Sequence, residues 1–143
     1  MKKTPKNIDF LVIGSGLAGL TAAMELSKHG SVLVTSKVEA SECNSFYAQG
    51  GIACVIDKDD SIEAHVNDTL NTGYGLGNPD VVKRVVQGGL DRIQELEELG
   101  IEFDLRKRKG KENEYDRGQE GGHSHRRVLH AGDITGQSMM QGL

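Results

Sequence analysis

Residues Ile8-Asp9-Phe10-Leu11-Val12-Ile13-Gly14-Ser15-Gly16-Leu17-Ala18-Gly19 decide the fold. Ile8 to Ile13 is apolar or β-branched at nearly every position, as expected of a central parallel strand buried on both faces. Gly14 to Gly19 is a glycine-spaced turn. Leu17 to His29 then reads as a helix with Leu20, Ala23, Met24 and Ser27 on one side, ending at Gly30 as a C′ residue. Ser31 to Thr35 is a second buried strand. Strand, glycine turn, helix and strand within about thirty residues form a βαβ unit.

The turn matches G-x-G-x-x-G, and each glycine has a physical task. Gly14 turns the chain tightly, Gly16 lets backbone approach a pyrophosphate, and Gly19 permits close helix–strand packing. The helix N-terminus adds free N–H groups and the positive end of its dipole. Gly14, Ser15, Gly16, Leu17, Ala18 and Gly19 are therefore the candidate dinucleotide cradle, with a merely structural glycine turn as the alternative. An acidic residue usually ends the second strand and holds the ribose hydroxyls. Here the strand ends Thr35-Ser36-Lys37, so Ser36 and Lys37 are the candidate ribose or phosphate contacts, and an ordinary NAD-binding reading is weakened.

Beyond the unit, Ser36 to Gly51 loses periodicity and is rich in small and polar residues, the pattern of a functional or disordered loop. Ile52 to Ile56 reads as a short strand. Ser61, with Glu63 in the first turn, starts a helix that fades near Gly73. Asn78-Pro79 starts another, and Val82, Val85, Val86, Leu90, Ile93, Leu96 and Leu99 keep a helical period to Gly100. Gly88-Gly89, inside that period, would cost about 1 kcal/mol each against alanine, which points to close packing there. Arg106 to Lys111 is a basic run expected to be a solvated hairpin or mobile tip. Tyr115 to His130 is irregular and polar, and Asp133 to Leu143 begins a helix with Asp133 near its N-cap.

The 143 residues suit a single domain with a real core. A net charge of −4 argues against a nucleic-acid partner, and the 4% aromatic content argues against base-stacking platforms. Met1-Lys2-Lys3-Thr4 precedes too short an apolar run for a secretory signal, and nothing approaches a membrane span. Cys43 and Cys54 lack metal-site company and read as reduced thiols of a cytoplasmic protein, with a disulfide between the two as the alternative.

Asn44-Ser45-Phe46-Tyr47-Ala48-Gln49-Gly50-Gly51 resembles the flavin loop shared by L-aspartate oxidases and the flavoprotein subunits of fumarate reductase and succinate dehydrogenase. The resemblance implies that Asn44, Ser45, Phe46, Tyr47, Ala48, Gln49, Gly50 and Gly51 run along FAD. In the covalent members a histidine at the position of Asn44 bonds to the flavin. Asparagine cannot, so the resemblance is to the aspartate oxidase branch with non-covalent FAD. Glu120-Gly121-Gly122-His123-Ser124-His125-Arg126-Arg127 also resembles that branch, with Asp133, Thr135 and Gly136 continuing a D-x-T-G pattern. It implies that Glu120 orients the substrate's amino group, against a surface salt bridge for Glu120 and plain packing for the arginines. His123, His125 and His130 lack a local fourth ligand, so no metal is expected.

The fold expected is α/β: a partial doubly wound, Rossmann-like FAD-binding domain over residues 1–143, its parallel sheet interrupted by a helical insertion between residues 61 and 100. The function implied by the resemblance is FAD-dependent oxidation of L-aspartate to iminoaspartate, with oxygen or fumarate as acceptor. It implies service to NAD biosynthesis and a functional link to quinolinate synthase. Family members are several times longer, so the resemblance implies a fragment, inactive alone, lacking the family's capping domain, helical C-terminal domain and catalytic arginine. The alternatives are a soluble fumarate reductase-like flavoprotein, a non-catalytic dinucleotide-binding remnant and a plain NAD-binding module.

Overall fold

A computed structural model describes residues 7–107 and 113–143, which divide into two compact units. The first takes in the chain up to Ala48 together with Gly136–Leu143, and the second is Gln49–Thr135.

The first unit is built on β1 (Phe10–Ile13), α1 (Leu17–Ser27) and β2 (Val32–Thr35). The two strands are parallel, with Phe10 opposite Val32 and Ile13 opposite Thr35. Helix α1 packs on both, burying Ala23, while Leu20 and Met24 are half-buried and Ser27 is exposed. The expectation that β1 is buried on both faces is corrected: Leu11 is 55% and Ile13 83% exposed. A central parallel strand needs a layer on each face, and in this unit α1 supplies one. Helix α1 ends at Ser27 with Lys28 as its cap, so Gly30 is not a left-handed terminator. Gly30 instead makes room for Asp9: a Cβ there would lie 2.7 Å from Asp9 Oδ2, which accepts the Ser31 N–H and O–H.

In the second unit the sheets are antiparallel, which corrects the expectation of a parallel sheet beyond the βαβ unit. β3 (Ile52–Ala53) pairs with β7 (Val128–Leu129), which also pairs with β6 (Arg117–Gly118). β4 (Leu105–Arg106) and β5 (Glu114–Tyr115) form a second antiparallel pair, flanking the basic run. Residues 108–111 of that run, and Glu112 after it, lie outside the described residues, as do Met1 to Thr4. β3 is shorter than the strand expected to reach Ile56, although the Cys54 N–H still donates to the Arg127 carbonyl at 2.8 Å.

The helices α2 (Ile62–Thr72), α3 (Pro79–Gln87) and α4 (Gly89–Glu98) make up the insertion. Ser61 Oγ accepts the Ala64 N–H, and Asn78 Oδ1 accepts from Asp80 and Val81, so both expected N-caps are built. The single helix expected to Gly100 is two, divided at Gly88, which caps both. Leu129, Ile93, Cys54, Ile101 and Phe103 form the core, with Ile52, Ile56, Leu96 and Tyr115 packed around them. Burying a side chain such as Leu129 or Ile93 contributes about 1.5–3 kcal/mol. The stretch expected to be irregular and polar, Tyr115 to His130, thus holds two strands, the end of a third and the most buried residues of the unit; Arg127 and Leu129 are both 0% exposed.

Helix α5 (Thr135–Gly142) starts later than expected. Asp133 lies in the preceding turn, where the Ala131 N–H donates to the Thr135 hydroxyl at 3.1 Å. Among the described residues no helix is long and apolar enough to cross a membrane.

Candidate functional site

The glycine turn has the geometry its spacing demands. Gly14 sits at φ +117°, a region closed to most side chains, and a Cβ there would face open space. A Cβ at Gly19 would collide with the Gly14 carbonyl oxygen, so this glycine is a packing requirement. Gly16 occupies the N-cap of α1 with extended backbone and no side chain to cap the helix, and no acidic residue stands in the first turn. Ser15 is buried, Leu17 and Gly19 half-buried, and Ala18 exposed.

The loop after β2 returns to this helix end. Residues 43–48 form a tight helical turn, in which Phe46 and Tyr47 both donate to the Cys43 carbonyl. Ser45 is carried to α1, where its Oγ accepts the Leu17 N–H at 3.2 Å. A Cβ on Gly16 would stand 3.2 Å from the same oxygen. Gly136 holds the loop from the other side, its N–H donating to the Ala48 carbonyl at 2.8 Å, where a Cβ would collide with the Ser45 carbonyl. Phe46 and Tyr47 meet edge to face at 5.7 Å, and the Tyr47 hydroxyl donates to Glu42, a bond that raises its pKa. Asn44 is exposed. The Ser36 hydroxyl is spent on the Val38 carbonyl, and Lys37 is exposed at the strand end.

These residues fit a dinucleotide. A helix start with glycine at its N-cap, no acidic residue in its first turn and a serine hydroxyl beside it suits a pyrophosphate. Gln49, Gly50 and Gly51 belong to the second unit. Gln49 and Gly50 are exposed there, and a Cβ on Gly51 would collide with the Leu129 carbonyl.

Glu120 is exposed on the second unit, in a turn closed by the His123 N–H donating to its carbonyl at 3.2 Å. Behind that turn lies a charge network that the sequence did not announce. Arg127 donates Nε and Nη2 to the two Asp60 oxygens, each at 2.8 Å, and Nη1 to Asp68 Oδ2 at 2.6 Å. Ser124 donates its N–H and O–H to that same Asp68 oxygen at 2.8 and 2.7 Å. Desolvation raises the Asp68 pKa, but the Ser124 bonds and Arg127 outweigh it and hold the carboxyl down at about 2. Asp60 is likewise lowered, its desolvation exceeded by Arg127 and the Ser61 N–H. The plain packing reading fits Arg127; Arg126 is exposed and donates to the Arg117 carbonyl.

His123 and His125 both reach the Arg127 guanidinium, while His130 pairs with Asp104. A guanidinium only donates, so the His123 Nδ1, 3.3 Å from Arg127 Nη1, is an acceptor. His125 Nδ1 stands 2.8 Å from Ser124 Oγ, and His130 Nδ1 stands 2.9 Å from Asp104 Oδ2. A fourth histidine, His65, is buried in α2 with its ring 5.6 Å from that of His123 and its pKa lowered, first by burial. Asp60, Asp68 and His65 were legible only as polar residues of a helix and its approach.

The family model described as an FAD binding domain matches residues 9–143. The chain is 46% identical over 138 residues to an L-aspartate oxidase of Vibrio cholerae, covering 94% of the chain and 25% of the relative. It is 41% identical over 143 residues to a chloroplastic L-aspartate oxidase of Arabidopsis thaliana, covering 100% of the chain and 21% of the relative. Among solved structures it resembles the Mycobacterium smegmatis Sdh1 complex, with TM-score 0.84, 32% identity, and coverage of 94% of this chain and 23% of that one. It resembles an E. coli quinol fumarate reductase at TM-score 0.84 and 29% identity, with coverage of 94% and 23%. The chain thus spans about a quarter of the length of the curated relatives it matches.

Proposed function

The chain belongs to the FAD-binding-domain family, and from that premise we propose that it forms the N-terminal part of the flavin site of an L-aspartate oxidase. The observation that carries this reading is the 46% identity to an L-aspartate oxidase over 94% of the chain. That span takes in the dinucleotide turn, the flavin loop and the Glu120 turn alike.

FAD is the cofactor of the family. Gly14, Ser15, Gly16, Leu17, Ala18 and Gly19 would hold its pyrophosphate at the start of α1, with Ser36 and Lys37 at the ribose side. Residues 44–51, from Asn44 to Gly51, would lie along the flavin, held without a covalent bond because asparagine offers no ring nitrogen. The β1–α1–β2 unit would then be the first part of a doubly wound sheet, within a domain that includes residues 1–143. When bound, FAD supplies the acceptor for two electrons.

Glu120 would receive the substrate's ammonium, a contact whose Coulomb energy grows as water leaves the site. The substrate Cα–H bond breaks with its electron pair leaving as hydride, the nitrogen releases a proton, and iminoaspartate results. Oxygen would close the cycle as hydrogen peroxide, or fumarate as succinate. The product would feed NAD biosynthesis through quinolinate synthase, in the cytoplasm. A fumarate reductase-like activity is the second reading, favoured by the structural likeness to quinol fumarate reductase.

Hydrogen peroxide release from the flavin-loaded full-length enzyme, of which this chain would be the N-terminal part, separates the two; the chain by itself is expected to show none. Turnover with L-aspartate and none with succinate is expected; succinate oxidation without aspartate oxidation would favour the second reading.

A further inference from the structure

The turn that carries Glu120 is seated on α2 by more charge than an exposed loop needs. One oxygen, Asp68 Oδ2, collects the Ser124 N–H, the Ser124 O–H and Arg127 Nη1 within 2.8 Å. Gly122, at φ +86°, lies so close to the end of α2 that a Cβ would stand 2.5 Å from Thr72 Oγ1. Inside the turn, Gln119 Nε2 donates to the His123 carbonyl at 2.8 Å, and the His123 N–H closes on Glu120. Beside it a cleft of about 350 Å³ is lined by Asp68, Thr72, Gly121, Gly122 and His123 among others.

The electrostatics of this seat are informative. Arg127 is already matched by Asp60, which takes two of its donors and whose side chain is 1% exposed. Asp68 is therefore surplus to neutralising the arginine, and the three groups Arg127, Asp60 and Asp68 together carry one more carboxylate than guanidinium. Arg127, engaged on both sides, has no free edge for a substrate carboxylate. A turn held by a surplus carboxylate suits recognition of a cation and not of an anion.

We propose that Asp68 is a positioning residue. It touches no substrate, but through Ser124 and Arg127 it fixes the Glu120 turn for recognition of an ammonium group. Discrimination between an amino dicarboxylate and one without an amine then depends on it. This rests on the role given above to Glu120.

Asp68→Asn is the informative variant, because Asp60 still pairs Arg127 and no buried cation is left alone. KM and kcat are measured for L-aspartate, and KM for fumarate, in the flavin-loaded full-length enzyme of which this chain would be the N-terminal part, as parent and as Asp68→Asn, Ser124→Ala, Glu120→Gln and the Asp68→Asn/Glu120→Gln pair, each beside a thermal melt. Asp68→Asn is expected to raise the KM for L-aspartate about tenfold with kcat changed less than about twofold. The KM for fumarate, which has no ammonium, should move less than about twofold, and the pair should be no worse than Glu120→Gln alone. Should Asp68→Asn melt, Ser124→Ala, at an exposed position, carries the test with about a threefold rise.

An equal loss with both substrates would mark Asp68 as merely structural and overturn the proposal. A rise in Glu120→Gln without one in Asp68→Asn would overturn it too, while leaving the role of Glu120 standing. No aspartate turnover in the parent, or no effect of Glu120→Gln, would overturn the functional reading and this proposal with it.

Discussion

At Gly16 the account separates binding from folding. A Cβ there meets only the end of a serine side chain, at 3.2 Å, whereas one at Gly19 meets backbone. Gly16→Val should therefore weaken FAD binding about tenfold or more with a small change in Tm, because the added bulk stands where the pyrophosphate approaches α1. FAD titration beside thermal melts reads both, and unchanged affinity would remove Gly16 from the cradle. At Asn44 the expectation is chemical: acid precipitation should leave the flavin in the supernatant, and flavin retained in the pellet would contradict non-covalent binding. Asp68 has a folded pKa of about 2, below the ordinary 3.8. A lowered carboxyl contributes stability that is complete above its unfolded pKa and is lost as pH falls through the folded one. The protein should thus lose Asp68's contribution between about pH 4 and about pH 2, and Asp68→Asn should flatten that limb of the Tm curve. Gly14 and Gly19 were legible because each answers a local backbone demand; Asp68 was not, because its partners lie 56 and 59 positions away.

Among the elements, those ruled by local signals were legible. Ser61 and Asn78 cap α2 and α3 as their side chains require, and β1, α1 and β2 follow from hydrophobic period and glycine spacing. The division at Gly88 was not, since the apolar period runs straight through it. The backbone there, at φ −77° and ψ −3°, is open to any residue, and the nearest atoms to a Cβ are at 3.7 and 3.8 Å. Gly88→Ala should therefore be neutral or stabilise by roughly 0.5–1 kcal/mol, reading out as one longer helix. Gly51→Ala should instead cost about 2 kcal/mol or more, because its Cβ would strike the Leu129 carbonyl where β3 pairs with β7. Denaturant melts of both variants decide this, and equal stabilities would contradict the packing described at β3. Strand β7 itself escaped notice because its partners are remote: Leu129 pairs with Ile52, and the polar residues around it gave no alternation to read.

At the scale of the whole chain, the two units carry different sheets. The first supplies a parallel βαβ unit and the turn that opens α1; the second supplies the Glu120 turn seated on α2. The parallel sheet read from the first strand does not extend past β2 among the described residues, because nothing in a local period tells which distant strands will pair. The motifs were more informative than the periodicity, since G-x-G-x-x-G ties residue type to backbone geometry at Gly14 and Gly19, and the Asn44 to Gly51 loop carries the family resemblance. The central claim is that these residues serve a flavin that takes electrons from L-aspartate. The direct measurement is the visible flavin absorbance of the FAD-loaded full-length enzyme of which this chain would be the N-terminal part, mixed without oxygen with L-aspartate or with succinate. Bleaching by L-aspartate, with about one equivalent consumed per flavin and no bleaching by succinate, is the expected result. An oxidised flavin spectrum that persists through excess L-aspartate would contradict the account.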